Sequence, residues 1–172
     1  NCHKSILHAI TMTGAIPVFL TPTRNHYGII GPIPLEEFQW ESIAKKIERH
    51  PLIKSASAAR RAGDAAARDK PRVMTLTQST YDGILYNVET IKSLLDGKID
   101  TLHFDEAWLP HAAFHSYYTD MHAIGGRSAR PRNRASMIFS TQSTHKMLAG
   151  LSQASQILVQ ESETRKLDRD VF

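Results

Sequence analysis

Residues 136–151 of this chain, SMIFSTQSTHKMLAGL, carry the strongest signals for its fold and its chemistry. Residues 136–140 read as an apolar strand, and the tetrad Ser143-Thr144-His145-Lys146 follows at its carboxyl end. A lysine between two apolar segments is unusual, because burying an ammonium is costly unless it is paired or neutralised. A desolvated lysine loses its proton more easily and can form a Schiff base with a carbonyl cofactor. The alternative is a lysine on an exposed turn, so the interpretation depends on the rest of the chain.

A second stretch, residues 101–108 (TLHFDEAW), puts a carboxylate where open α/β sheets bind ligands. Residues 101–104 read as a short buried strand, and Asp105 stands at its carboxyl end. A carboxylate in that position can keep a pyridinium nitrogen protonated, as the electron sink of pyridoxal phosphate requires. The separation between Asp105 and Lys146 leaves room for a helix and a further strand, so both residues are expected at one sheet edge.

Helical and strand-like segments alternate along the chain, which favours an α/β fold with a mostly parallel sheet flanked by helices. Gly14 is expected to cap the first helix, and Pro51 to end the second. Residues 22–34 are expected to form a turn-rich loop. Strands are predicted at residues 16–20, 72–77, 101–104, 136–140 and 155–160, and helices at 3–13, 35–50 and 88–95.

Composition is that of an ordinary globular protein, with 41% hydrophobic and 22% charged residues. No apolar run approaches the roughly 20 residues of a membrane span, so no membrane partner is expected. The single cysteine, Cys2, excludes an internal disulfide and fits a reducing cytoplasm. Cys2 is expected to be a small packing residue rather than a nucleophile.

The formal net charge of +4 raises the question of nucleic-acid binding. Basic residues concentrate in two stretches: a predicted flexible insertion at residues 55–70, and an Arg-rich loop at residues 124–135. The loop carries Arg127, Arg130, Arg132 and Arg134. Neither stretch interleaves aromatic residues with the basic ones, as a platform for stacking bases would. Both are expected to be solvated loops, and no nucleic-acid partner is expected.

Six segments together resemble the bacterial ornithine/lysine/arginine decarboxylase family, the large pyridoxal-phosphate enzymes of aspartate-aminotransferase fold (fold type I). The residues in these segments are most similar to those of the acid-inducible arginine decarboxylase branch. In chain order these segments are residues 1–5 (NCHKS), 22–33 (PTRNHYGIIGPI), 79–83 (STYDG), 103–108 (HFDEAW), 143–146 (STHK) and 151–155 (LSQAS). The resemblance implies that residues 1–172 are part of the pyridoxal-phosphate-binding large domain of a longer enzyme.

The resemblance also implies a role for each matching site residue. Lys146 is expected to bind pyridoxal 5'-phosphate covalently, and Asp105 to pair with its pyridine nitrogen. His3 matches the histidine that stacks on the ring, while Ser143 and His145 match residues near the phosphate. His145 is also a candidate for reprotonating the α-carbon. For Trp108 the alternatives stay open: its indole N–H approaches the phenolic oxygen of the ring, or the side chain only packs.

Three weaker patterns stand beside these. Thr80-Tyr81-Asp82-Gly83 fits a turn that shapes the loop beside the site, with direct cofactor contact as the alternative. The histidines at 103, 111 and 115 lack zinc spacing and are expected on the surface or behind the site, so no metal is expected. Glu106 beside Asp105 suggests an acid/base pair, but strand alternation points adjacent side chains in opposite directions.

The function that the resemblance implies is decarboxylation of a basic amino acid, most specifically arginine to agmatine and CO2. Lysine or ornithine decarboxylation is the alternative within the family. An aminotransferase or aldolase of the same fold explains fewer of the motifs, and a non-catalytic protein with a degenerate cofactor domain would not need both Asp105 and Lys146. The expected parent is a cytoplasmic homodimer or higher homo-oligomer serving acid resistance. The 172 residues alone are expected to be inactive.

Overall fold

A computed structural model describes residues 2–58, 70–124 and 135–170 of the chain. The chain divides into two compact units, Cys2–Pro71 and Arg72–Phe172. Most of the predicted insertion at 55–70 and almost all of the predicted Arg-rich loop at 124–135 lie outside the described residues. No helix within the described part is long and apolar enough to cross a membrane.

The unit Cys2–Pro71 begins with helix α1, Lys4–Thr13. Gly14 ends this helix in the left-handed conformation at φ 64°, which glycine adopts without a steric penalty, so the predicted cap is confirmed. The strand predicted at residues 16–20 is wrong, because these residues follow an irregular path. Pro17 has no N–H to donate to a ladder, and the described residues of this unit contain no strand for the segment to pair with.

The loop at residues 22–34 is held by its own hydrogen bonds. Arg24 and Ile30 form an isolated antiparallel bridge. The side-chain oxygen of Asn25 accepts hydrogen bonds from the amides of Tyr27 and Ile29, both at 3.0 Å. Residues 22–34 are therefore the turn-rich loop that their sequence predicts.

The helix predicted over residues 35–50 is interrupted. A 3₁₀ turn, Leu35–Phe38, is followed by helix α2, Trp40–Arg49. The two are separate elements because Gln39 between them is extended at ψ 138°. Pro51 does end α2, but it also begins a further helix, α3, Pro51–Ala58. Proline favours a first helical position because its missing N–H would have no partner there.

The unit Arg72–Phe172 is built on a four-stranded sheet in the order β1-β2-β3-β4. The first three strands are parallel and the fourth is antiparallel to β3, so the predicted α/β fold with a mostly parallel sheet is confirmed. The strands are β1 (Val73–Thr77), β2 (Thr101–Asp105), β3 (Met137–Gln142) and β4 (Gln156–Gln160). Helix α4 (Val88–Leu95), two 3₁₀ turns (Ala112–Phe114 and Ser116–Tyr118) and the short helix α5 (Thr144–Met147) connect them.

One face of this sheet forms the core of the unit. Leu102 and Phe104 of β2 are fully buried, and their alternation with half-buried neighbours is what a strand with one core face requires. Burying each such side chain stabilises the fold by about 1.5–3 kcal/mol. Buried apolar residues from the neighbouring strands and α4 complete this core: Met74, Leu76, Val88, Ile91, Leu95 and Ile138. The core fixes the three parallel strands in register, and hence the positions of their carboxyl ends.

Candidate active site

Three segments with polar or aromatic side chains follow the three parallel strands. Because the strands are parallel and in register, their carboxyl ends meet at one edge, where Thr77, Asp105 and Thr141 are aligned across the sheet. Tyr81 lies in the turn after β1, Trp108 in the turn after β2, and Lys146 on α5 after β3. Open α/β sheets bind their ligands at such an edge.

The side chains of Lys146, Trp108 and Tyr81 are in contact at this edge. The Nζ atom of Lys146 lies 5.3 Å from the centre of the Trp108 ring. Tyr81 meets the same indole edge-on, with 5.0 Å between the ring centres. A cation over an aromatic face contributes about 0.5–1 kcal/mol at an exposed site and more where water is excluded. Lys146 is half-buried, so it is neither an isolated buried charge nor a lysine on a freely exposed turn.

Asp105 is the last residue of β2, as its sequence context predicts. Its Oδ1 atom accepts a hydrogen bond of 3.1 Å from the amide of Ala107, which shapes the turn toward Trp108. The side chain is half-buried, and no lysine or arginine among the described residues forms an ion pair with it. One carboxylate oxygen is thus used by the turn, and the other has no hydrogen-bond partner among those residues.

Glu106 lies beside Asp105 in the sequence but in a different environment. Its side chain is fully buried, whereas Asp105 is half-buried at the edge. The Glu106 carboxylate accepts hydrogen bonds from the Ala123 amide at 2.6 Å, the Ser140 hydroxyl at 2.5 Å and the Gln142 side chain at 3.1 Å. The two carboxylates therefore do not form an acid/base pair facing one substrate.

His103 lies two residues before Asp105, on the same face of β2. Its ring nitrogens contact hydroxyls of both neighbouring strands: Nδ1 is 3.3 Å from Thr75 Oγ1, and Nε2 is 3.1 Å from Thr141 Oγ1. Burial lowers the pKa of His103 below 6.5, and the charge of Asp105 opposes this by favouring the imidazolium. A neutral ring, with one donor and one acceptor nitrogen, can bond both hydroxyls.

Ser143 and His145 occupy the start of α5, but their present contacts are local. The Ser143 carbonyl accepts a hydrogen bond of 3.1 Å from the Lys146 amide, and its side chain makes no capping bond. The Nδ1 atom of His145 lies 2.8 Å from the carbonyl oxygen of Ala154 and 3.2 Å from its amide nitrogen. These bonds attach α5 to the segment before β4. The expected contacts of both side chains with a phosphate stay a prediction.

His3 belongs to the other unit, where it caps α1. Its Nδ1 atom accepts a hydrogen bond of 3.3 Å from the Ser5 amide and lies 2.9 Å from the Ser5 hydroxyl. The ring is exposed. The expected stacking of His3 on a cofactor ring stays a prediction.

The remaining candidates behave as turns and packing residues. Thr80 and Gly83 close the turn after β1: the Ile84 amide donates to Thr80 Oγ1 at 3.2 Å, and Gly83 has φ 79°. This conformation explains the Asp-Gly pair of the sequence. Cys2 is half-buried and has a free thiol. Within the described residues, no group of three or more histidine, cysteine, aspartate or glutamate side chains is arranged to hold a metal ion.

Two features of the site were missed by sequence reasoning. The sequence predicts a turn at Tyr81, with cofactor contact as the alternative, but it does not predict the contact of Tyr81 with Trp108, which depends on the spacing of β1 and β2. Strand alternation predicts that Glu106 points away from Asp105, but it does not predict the hydrogen-bond partners of Glu106, which lie 17, 34 and 36 positions away. The one local sign that Glu106 is buried is its position directly after the end of a buried strand.

The donors and acceptors at this edge fit pyridoxal phosphate. The Trp108 Nε1 atom is buried and has no hydrogen-bond partner among the described residues, which suits a ligand acceptor. Lys146 supplies a primary amine, and Asp105 an acceptor oxygen of negative charge. An aldehyde, a phenolic oxygen and a pyridine nitrogen are the groups of this cofactor that such a set would bind.

Comparison with known proteins agrees with the fold. The family model "Orn/Lys/Arg decarboxylase, major domain" matches residues 1–172. The fold is a mixed α/β domain like that of solved decarboxylase structures, and the chain belongs to the Orn/Lys/Arg decarboxylase family.

Among its relatives is the lysine decarboxylase LdcA of Pseudomonas aeruginosa, 50% identical over 168 residues, or 98% of this chain and 20% of the relative. The biodegradative arginine decarboxylase of Escherichia coli is 45% identical over 161 residues, or 94% of this chain and 20% of the relative. A solved structure of lysine decarboxylase A from Pseudomonas aeruginosa superposes with a TM-score of 0.80 at 51% identity, covering 98% of this chain and 21% of that one. The chain therefore spans about a fifth of the length of these amino-acid decarboxylases.

Proposed function

We propose that this chain is part of a pyridoxal-phosphate-dependent enzyme that decarboxylates a basic amino acid. The observation that carries the proposal is the position of Lys146 after β3, with its Nζ atom 5.3 Å from the ring of Trp108 and beside the strand end that bears Asp105. Family membership supports the same activity, because its relatives are amino-acid decarboxylases.

The chemistry divides between the cofactor and the chain. When bound, pyridoxal phosphate supplies an electron sink for the bond that breaks at the α-carbon. Lys146 would supply the amine that holds the cofactor covalently. Asp105 would hold a proton at the pyridine nitrogen, through the carboxylate oxygen that the Ala107 amide leaves free.

The other residues orient the ring and its phosphate. Trp108 offers its unpaired Nε1 hydrogen to the phenolic oxygen. Ser143 and His145 offer a hydroxyl and an imidazole toward the phosphate, where charge-assisted hydrogen bonds are strong. The family resemblance would assign one face of the ring to His3. In this scheme His145 also returns a proton to the α-carbon after CO2 leaves, which requires its Nε2 atom because Nδ1 contacts Ala154.

The substrate is arginine or lysine. The residues of the sequence motifs favour arginine. Overall sequence identity does not favour arginine over lysine, because it is 50% to a lysine decarboxylase and 45% to an arginine decarboxylase. Ornithine is less favoured, because a constitutive ornithine decarboxylase of Escherichia coli is 31% identical. Purified parent enzyme given each amino acid separately, with CO2 release measured, distinguishes them. Amino-group transfer from these substrates without any release of CO2 would overturn the proposal.

The cellular location, the oligomeric state and the physiological role of the enzyme are proposed from its family. A cytoplasmic homo-oligomer is the expected assembly, and replacing the substrate carboxylate by a proton consumes acid at each turnover, which suits acid resistance. The 172 residues alone would be inactive, since well-oriented groups contribute on the order of 7–11 kcal/mol to catalysis and a partial site loses much of this. A non-catalytic protein is less favoured, because the site retains both Asp105 and Lys146.

A further inference from the structure

The side chain of Glu106 connects three segments of the Arg72–Phe172 unit. It stands in the turn between Asp105 and Trp108, and its Oε1 atom accepts the Ala123 amide at 2.6 Å. Its Oε2 atom accepts the Ser140 hydroxyl at 2.5 Å and the Gln142 amide group at 3.1 Å. Glu106 thereby joins the strand end that carries Asp105 to the last residues of the strand that leads to Lys146.

This network is buried and made without a cationic partner among the described residues. Glu106 and Ser140 are both fully buried, and Gln142 is 6% exposed. The Gln142 side chain extends the network, because its Oε1 atom accepts a hydrogen bond of 2.6 Å from Gln156 at the start of β4. A buried carboxylate with three neutral donors is costly to disturb, because each donor that loses its acceptor is left unsatisfied.

The residues of this network adjoin the carboxyl ends of β2 and β3, where the candidate active site lies. Glu106 is flanked in sequence by Asp105 and the turn to Trp108, and Gln142 is the residue before Ser143 at the start of α5. The ladder between β2 and β3 ends at the pair Asp105 and Thr141. The Glu106 amide also donates to the Thr141 carbonyl at 2.9 Å. The side-chain bonds of Glu106 and this amide bond therefore connect the turn of Trp108 to the end of β3, just before α5.

We propose that Glu106 is a positioning residue, which holds Asp105 and Trp108 at a fixed distance from Lys146 through Ser140 and Gln142. The expected effect on catalysis rests on the proposed function. The hydrogen-bonded connection made by Glu106 does not depend on it. Glu106 does not touch substrate or cofactor in this scheme. Small displacements of catalytic groups are costly: a misplacement of about 1 Å can lower a rate by about 10²-fold.

The substitution Glu106→Gln tests the proposal because it keeps the size of the side chain. Glutamine has one acceptor oxygen, so it cannot accept from both Ala123 and Gln142 in the present arrangement. In the full-length parent without cofactor, hydrogen–deuterium exchange of residues 105–112 and 120–124 is expected to accelerate by about tenfold, while α4 stays protected. This readout needs neither cofactor nor activity. Unchanged exchange in both segments would refute the positioning role whether or not the parent is a decarboxylase.

In the holoenzyme, kcat of Glu106→Gln is expected to fall by about 10–100-fold with little change in KM, since the loss is of alignment. The double variant Glu106→Gln/Gln142→Glu restores a donor–acceptor match, because the carboxylate introduced at position 142 can accept from both the amide introduced at position 106 and Gln156. It is expected to recover most of the lost kcat and the slow exchange. A double variant that is as impaired as the single one, although folded, would contradict the assigned connection.

Glu161→Gln is the matched control. Glu161 also accepts a backbone amide, that of Leu167 at 3.0 Å, but it follows β4 at the opposite edge of the sheet, where Gln160 pairs with Ile138. The kcat of this variant is expected to equal that of the wild type. If Glu106→Gln fails to fold, Ser140→Ala provides a milder test, because it removes only one donor to Glu106. This variant is expected to lower kcat several-fold. A folded Ser140→Ala enzyme with wild-type kcat and wild-type hydrogen exchange would overturn the proposal.

Discussion

Replacing Asp105 by asparagine separates the charge of this side chain from its role in the turn. Asparagine keeps an Oδ1 acceptor for the Ala107 amide, which Asp105 bonds at 3.1 Å. It replaces the other carboxylate oxygen by an NH2 group and removes the negative charge. The structure of the turn is therefore expected to survive, while the partner of the pyridine nitrogen is lost.

The size of the effect follows from Coulomb's law. Two unit charges 4 Å apart interact by about 4 kcal/mol at the effective dielectric constant of about 20 that applies near a protein surface, and Asp105 is half-buried at the sheet edge. With its oxygen kept on the Ala107 amide, asparagine presents an uncharged NH2 donor at this position, so most of this interaction is lost. Since about 1.36 kcal/mol corresponds to a tenfold change in rate, kcat is expected to fall by about 10²–10³-fold.

The assay is CO2 release by purified parent enzyme, with cofactor content measured on the same sample. Asp96→Asn is the matched control, because Asp96 Oδ1 accepts the amides of Ala135 and Ser136 at 3.2 and 3.0 Å and is remote from the carboxyl edge. That variant is expected to keep wild-type kcat. An Asp105→Asn enzyme with full cofactor content and wild-type kcat would show that the charge of Asp105 is not needed for catalysis.

Two further predictions concern side chains beside the site. Burial lowers the pKa of His103 below 6.5, so the unfolded chain binds more protons than the folded one between that lowered pKa and 6.5. The stability that this histidine contributes is therefore lost as the pH falls through that window. The thermal midpoint of the parent should drop less steeply from pH 7 to about pH 5 in His103→Gln than in the wild type, whereas the exposed His8→Gln should follow the wild type; identical slopes for all three would contradict the assignment. Replacing Trp108 by phenylalanine keeps a ring beneath Lys146 but removes the unpaired Nε1 hydrogen. A lost hydrogen bond of about 0.5–1.5 kcal/mol should raise the dissociation constant for pyridoxal phosphate by about two- to tenfold, measured by spectral titration, with Trp40→Phe as control and an unchanged constant as the contrary result.

The sheet could be predicted from the sequence because its strands carry their own signal. Leu102 and Phe104 alternate with less buried residues over a short apolar run, and Val88–Leu95 places its apolar residues on one helical face. The strand predicted at 16–20 failed because an apolar segment needs a neighbour to pair with, which local sequence does not reveal. The helix predicted at 35–50 failed at Gln39 because the 3₁₀ turn before it is stabilised by packing of Phe38, which is 1% exposed.

The site was predictable only to the level of its strand ends. Asp105 and Lys146 could be located because each follows an apolar strand, and parallel strands present their carboxyl ends at one edge. The hydrogen bonds of Glu106 could not be predicted, because they depend on the register between β2 and β3. His103 has the same limitation, since its partners Thr75 and Thr141 come from the two neighbouring strands.

The proposed attachment of the cofactor to Lys146 can be tested by borohydride reduction of the parent holoenzyme, followed by proteolysis and mass spectrometry. A pyridoxyl group is expected on Lys146 and none on Lys92, which is buried and bonded to Glu89 at 2.7 Å and to the Ala123 carbonyl at 3.2 Å. A stoichiometric label on Lys4, Lys92 or any lysine other than Lys146 would show that Lys146 does not hold the cofactor.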